Sequence, residues 1–216
     1  MIRSRLARFF GIWILATAPV LASAMAAPLH DAAAKGDIDA VRNHLTGGEY
    51  INYRDEEGLT ALHWAVVKGK YNVVEFLIDN GANINVKDNF GSTLLHMAVF
   101  GGEKIVGLLL DKGVRVDERN DDGISALHLT ALEGNQVIAE LLVAKGSDVD
   151  AQSTKNHLTP LYWAAKGGHL AIVELLISKG ANVNSRTKRG KTPLKVAIIK
   201  GHRIVAELLL RHGARE

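Results

Sequence analysis

The sequence predicts an all-α fold, a solenoid of about six helix-turn-helix repeats joined by β-hairpin-like loops. Three observations carry this. A phrase returns five times: Gly58-Leu59-Thr60-Ala61-Leu62-His63-Trp64-Ala65, Ser92-Thr93-Leu94-Leu95-His96-Met97-Ala98, Ser125-Ala126-Leu127-His128-Leu129-Thr130, Thr159-Pro160-Leu161-Tyr162-Trp163-Ala164 and Thr192-Pro193-Leu194-Lys195-Val196-Ala197. Its copies lie 33, 32, 34 and 33 residues apart, counted from Thr60 to Thr93, Ser125, Thr159 and Thr192, the spacing of a stacked array in which each unit buries its apolar face only against neighbours. A glycine follows each of these residues by nine positions (Gly69, Gly102, Gly134, Gly168, Gly201), where a short helix must turn.

Within one repeat the elements follow in order. Thr60, Thr93, Ser125, Thr159 and Thr192 offer hydroxyls as N-caps, and Pro160 and Pro193 stand at the first helical position, where the missing N–H costs nothing. The glycine nine residues on ends the first helix in a left-handed turn. A second helix follows, with apolar pairs at helical spacing such as Val73-Val74 with Phe76-Leu77, Ile105-Val106 with Leu108-Leu109, and Ile172-Val173 with Leu175-Leu176. Gly81, Gly113, Gly146, Gly180 and Gly213 close it, with Lys112, Lys145, Lys179 and Arg211 near the negative end of the helix dipole. Polar connections such as Asn83-Ile84-Asn85, Asp148-Val149-Asp150 and Asn182-Val183-Asn184 lead into the next loop.

The phrase and its period resemble those of ankyrin-repeat proteins, whose repeat is about 33 residues long. Leu29-His30-Asp31-Ala32-Ala33, Gly36 and Gly48 keep the register without the cap, which sets repeats at 28–57, 58–90, 91–122, 123–156, 157–189 and 190–216, one ankyrin-repeat domain over 27–216. The first reads as a capping repeat. The sixth keeps an apolar second helix, and Ile198 and Ile199 replace small residues there, so that Arg203, Glu207, Arg211 and Arg215 screen that end or it docks something, self-association of an otherwise monomeric chain included. Two departures stand out. The third repeat lacks one residue between Gly102 and Ile105, which tightens that turn; the fifth gains one before Leu158, with His157 in place of the turn glycine.

Residues 1–26 read as a signal peptide: basic Arg3, Arg5 and Arg8, an apolar core over 9–18, a break at Pro19, and small residues that allow cleavage after Ala24 or Ala26. The competing reading is an uncleaved anchor, since residues 9–27 approach the length of a membrane span. Pro19, Thr17 and Ser23 make them a poor span. The chain carries 26 basic and 23 acidic residues, for a formal charge of +3. Removing the three arginines leaves 23 basic residues against 23 acidic ones, so the mature chain is neutral and its charge argues for neither nucleic acid nor an anionic membrane as partner. No cysteine is present, which removes lipoprotein attachment, disulfides and thiolate chemistry.

Candidate chemistry dissolves into the repeat. His30, His63, His96 and His128 share one slot, suited to bonding the cap region and a neighbouring loop, and His169 and His202 follow turn glycines; six framework histidines spread over separate repeats make no metal cluster. His44, His157 and His212 have no assigned partner and support only a remote hydrolase alternative. Neither a nucleophile elbow nor a phosphate-binding glycine pattern occurs, so no catalytic residue, metal, cofactor or small-molecule substrate is expected. Trp64 and Trp163 share a position read as core or groove packing rather than a base-stacking platform.

What remains is surface. The resemblance implies that partners bind at hairpin tips and the exposed side of the first helix, which selects Glu56, Glu57, Leu59, Phe90, Phe100, Asp121, Asp122, Ile124, Leu132, Lys155, Leu158, Lys166, Lys188, Arg189 and Lys191 as partner-binding residues. In sequence order they run from acidic and apolar to basic. A folded protein with a complementary polarised surface is the expected partner. Similarity to small exported, periplasmic bacterial ankyrin-repeat proteins implies a periplasmic or secreted protein, not an enzyme, that helps a cell-envelope enzyme or inhibits a toxin enzyme. A membrane-anchored scaffold with an uncleaved N-terminal helix is the alternative.

Overall fold

The computed structural model describes residues 28–216, so the signal-peptide reading falls on residues outside those described. Among the described residues twelve helices appear in order: α1 Pro28–Lys35, α2 Ile38–Thr46, α3 Ala61–Val67, α4 Tyr71–Asp79, α5 Leu94–Gly101, α6 Glu103–Asp111, α7 Ala126–Glu133, α8 Gln136–Ala144, α9 Pro160–Gly167, α10 Leu170–Ser178, α11 Pro193–Lys200 and α12 Arg203–Arg211. No strand forms among the described residues; one isolated antiparallel bridge joins Lys87 and Thr93. The fold is all-α, as the sequence predicts. No helix among the described residues is long and apolar enough to cross a membrane.

The chain divides into two compact units, the first ending at Val114 and the second beginning at Arg115. In the first, α1, α3 and α5 pack side by side as an inner row, and α2, α4 and α6 form an outer row. In the second, α7, α9 and α11 make the inner row and α8, α10 and α12 the outer one. Each odd-numbered helix also packs against the even-numbered helix that follows it. The core is therefore a layer of Leu, Ile, Val and Ala between the rows, with Leu62, Leu77, Leu94 and Leu109 in the first unit and Leu127, Leu142, Leu161 and Leu176 in the second all fully buried.

The inner helices start as their caps require. The Thr60, Thr159 and Thr192 hydroxyls accept from the backbone N–H groups of His63, Tyr162 and Lys195. Thr60, Thr93 and Ser125 go further and form reciprocal capping boxes in which the histidine three residues on returns a bond to the cap backbone. Gly134, Gly168 and Gly201 end α7, α9 and α11 in the left-handed conformation. The third repeat differs as its missing residue predicts: Gly102, at φ 111° and ψ 162°, serves both as last residue of the turn after α5 and as N-cap of α6. Gly101 permits an equally tight approach, since a Cβ there would lie 2.0 Å from the Val66 carbonyl oxygen.

Candidate functional site

The hairpin tips are built on one plan. Asp55, Asp88, Asn120, Ser153 and Thr187 each donate a backbone N–H to the carbonyl of the residue just before the next cap, at 2.9–3.0 Å, and accept with their side chains from the N–H groups of those same residues, Leu59, Ser92, Ile124, Leu158 and Lys191. Four tips hold a glycine at positive φ, Gly58, Gly91, Gly123 and Gly190. The fifth is one residue longer, and His157 takes the left-handed place at φ 53°, donating its N–H to the Ser153 carbonyl at 3.0 Å. Neighbouring tips within a unit are laced by backbone bonds, Asn89 to Glu57 in the first unit and Thr154 to Asp122 and Lys188 to Asn156 in the second. Such lacing holds the tips as a rigid edge on which side chains can vary.

The histidines act as fasteners. In the second unit, His128 Nδ1 accepts from the Ser125 N–H at 3.1 Å, which leaves Nε2 protonated to donate to the Leu158 carbonyl at 2.9 Å. His30 donates likewise to the Leu59 carbonyl at 3.1 Å. His169 and His202 donate Nε2 to the carbonyls of Leu132 and Lys166 in the preceding repeat, at 3.0 and 3.1 Å. His63 Nδ1 accepts from the Thr60 N–H, while Nε2 faces the Val86 carbonyl without closing a hydrogen bond. Burial, then the charge of Arg54, push its pKa down to about 3, with His30 adding to the shift and Val86 opposing it. His63 is thus held neutral. Of the three histidines without a sequence-assigned role, His44 bonds Glu49 at 2.8 Å, and His157 and His212 lie exposed. Among the described residues no group of three or more His, Asp or Glu is placed to hold a metal ion.

In the first unit, Glu56 and Phe90 stand exposed at tips, Glu57 is half-buried, and Phe100 is exposed at the end of α5; the two phenylalanines keep 43% and 45% of their surface in water. Leu59 is a correction. It is 3% exposed, its backbone held between Asp55, which accepts from its N–H, and His30, which bonds its carbonyl, and its apolar side chain joins the core. In the second unit Ile124 is a second correction: Asn120 accepts from its N–H and its apolar side chain is 1% exposed. Leu158, in the equivalent place of the longer fifth tip, stays half-buried, and Leu132 and Lys166 are half-buried on α7 and α9. Asp121, Lys188, Arg189 and Lys191 are exposed. Lys155 pairs with Asp122 at 2.5 Å, so these two predicted contacts spend part of their charge on one another.

The tryptophans divide. Trp163 is buried beneath Lys166, whose Nζ sits 4.4 Å from the ring centre. Trp64 is half-buried, its Nε1 donating to Asp55 Oδ2 at 2.9 Å and bracing the tip against α3. Sequence reasoning missed the Asp55–Trp64 brace and the ladder on the far side of the second unit, where Asp117, Asp148, Asp150, Asn182 and Asn184 side chains accept backbone N–H groups from within and between repeats. The recurring Asn/Asp-x-Asn/Asp connection was its visible trace.

A sequence model described as "Ankyrin repeats (3 copies)" matches residues 29–120, 95–187 and 127–216. The human ASB11 ankyrin repeat domain is similar in structure, with a TM-score of 0.78 and 28% identity, over 88% of this chain and 85% of that one. The ankyrin repeat domain of Bcl-3, described as a unique member of the IkappaB protein family, has a TM-score of 0.76 and 32% identity, over 88% of this chain and 87% of that one. No curated protein sequence matches the chain. The chain belongs to the ankyrin-repeat family, whose fold is a scaffold for protein–protein interaction.

Proposed function

We propose that the chain is an exported bacterial binding module, periplasmic or secreted, that acts by docking a partner protein on its hairpin tips and inner-helix surfaces. The observation that carries the reading is the exposure of Phe90 and Phe100, large aromatic side chains at places where the repeat framework asks for none. Aromatic anchors of this kind supply a disproportionate share of binding energy when a partner covers them. The exposed Asp121, Lys188, Arg189 and Lys191 add charge that would orient the encounter rather than hold the complex. Export rests on Arg3, Arg5, Arg8, the apolar core and the small residues before Ala27.

The partner is a cell-envelope enzyme that the chain stabilises or positions, or a toxin enzyme that it blocks. An equimolar mixture with the purified partner separates the two: an inhibitor abolishes activity, and a helper preserves or raises it. The apolar length of residues 9–27 favours one second reading, a scaffold tethered by an uncleaved N-terminus. N-terminal sequencing of the protein recovered from cells decides between them, because a start at Met25 or Ala27 leaves no tether.

A further inference from the structure

In the second unit three side chains occupy the seventh place after their caps: Leu132 on α7, Lys166 on α9 and Ile199 on α11. Their common register is visible in the bonds, since the carbonyls of Leu132 and Lys166 each accept from the histidine that opens the next repeat's outer helix. Leu132 is half-buried and Ile199 is 57% exposed. Between them Lys166 is half-buried, with its Nζ over the Trp163 ring. Among the described residues it forms no ion pair, and burial together with the charge of Lys200 holds its pKa below the ordinary lysine value. The surface therefore reads apolar, cationic, apolar, with the central charge partly stripped of water, resting on the Trp163 ring and without a carboxylate partner.

The general spacing of helices packed side by side, as the inner helices of this unit are, suits one ligand conformation. Helices packed side by side lie about 8–10 Å apart. A polyproline II segment has three residues per turn and rises about 3.1 Å per residue, so its residues i, i+3 and i+6 project from one side at steps of about 9 Å. A β-strand would send residues three apart to opposite faces. We propose that Leu132, Lys166 and Ile199 bind an acidic protein segment in the polyproline II conformation, presenting apolar, carboxylate and apolar side chains at i, i+3 and i+6. The carboxylate meets Lys166 above Trp163, and the flanking apolar side chains cover Leu132 and Ile199. This rests on the reading of the chain as a protein-binding module and names the chemistry of what it binds.

The test uses a fluorescein-labelled peptide, Leu-Pro-Pro-Asp-Pro-Pro-Leu, titrated with the chain from residue 27 onward and followed by fluorescence anisotropy. The Asp-centred peptide should bind at least tenfold more tightly than the same peptide with Lys at its centre, and moving the Asp by one position should cost as much. Lys166→Glu should invert the preference for the central charge. Lys166→Met, which keeps a long unbranched side chain and removes only the charge, should abolish the preference while circular dichroism stays unchanged. No binding of the Asp-centred peptide, equal affinity for the shifted peptide, or an unaltered preference in both Lys166 variants overturns the proposal. A protein partner retained equally by the native chain and Lys166→Glu would overturn this row and leave the binding-module reading standing; that reading itself fails if no partner is retained by either.

Discussion

His63 makes stability of the first unit depend on pH in a direction that the structure dictates. Its ring is buried beside Arg54 and His30, and its pKa is pushed down to about 3. In the unfolded chain the imidazole titrates near its ordinary value of about 6.5. A depressed histidine pKa means that the unfolded state binds the proton and the folded state refuses it. The contribution is therefore fully present above pH 6.5 and is lost as pH falls from 6.5 towards 3. Each pH unit within that window removes about 1.4 kcal/mol, so the step from pH 7 to pH 5 removes about 2 kcal/mol. With a urea dependence of about 2 kcal/mol per molar, the midpoint shifts down by about 1 M. His63→Gln isolates this residue: the amide oxygen is placed to accept from the Thr60 N–H in its stead, but it takes up no proton. Urea unfolding at both pH values should show the variant losing about 2 kcal/mol less than the native chain. An equal loss in the two proteins would refute the assignment of a buried, neutral imidazole.

Gly101→Ala should lower stability by about 1–3 kcal/mol, because its Cβ would be driven against the Val66 carbonyl; Gly107→Ala, where a Cβ meets nothing within 4 Å, should raise it by about 0.5–1 kcal/mol. Urea midpoints read both, and equal effects would contradict the close helix approach. His128→Ala should cost about 2–4 kcal/mol by the same assay, since it removes the bond to Leu158 and leaves the Ser125 N–H without its imidazole acceptor. Replacing Lys188, Arg189 and Lys191 together by Glu should slow association with the partner about tenfold at low salt and weaken its salt dependence, as measured by stopped flow; unchanged rates would remove these cations from the encounter surface.

Where local chemistry decides the structure, the sequence could be read directly. Thr60, Thr159 and Thr192 cap the helices they precede, and the residue missing after Gly102 does compress the third turn to a single linking residue. The repeated histidine could be recognised as a fastener because its cap partner recurs three residues before it at His63, His96 and His128. Side-chain direction at the tips was less legible. Leu59 and Ile124 flank the caps as Lys191 does, under the same tip bonds, yet their apolar side chains lie in the core while Lys191 is exposed, so apolarity and not tip geometry sets the difference. The Lys155–Asp122 pair joins residues of consecutive tips, and a per-residue charge pattern cannot reveal that the two meet. The framework could thus be read from spacing, whereas the surface depends on which side chains neighbouring repeats bring together.

The central claim is that a protein docks on positions the framework leaves free. Immobilised protein from residue 27 onward, exposed to an envelope extract of its native cell, tests it most directly when run beside the Phe90→Ala, Phe100→Ala double variant. Both phenylalanines are exposed, so the variant should keep its helical content and unfolding midpoint. The account predicts a stoichiometric protein retained by the native chain and lost, by tenfold or more, from the variant. Equal retention by a folded variant, or a double substitution that unfolds the chain, would contradict it.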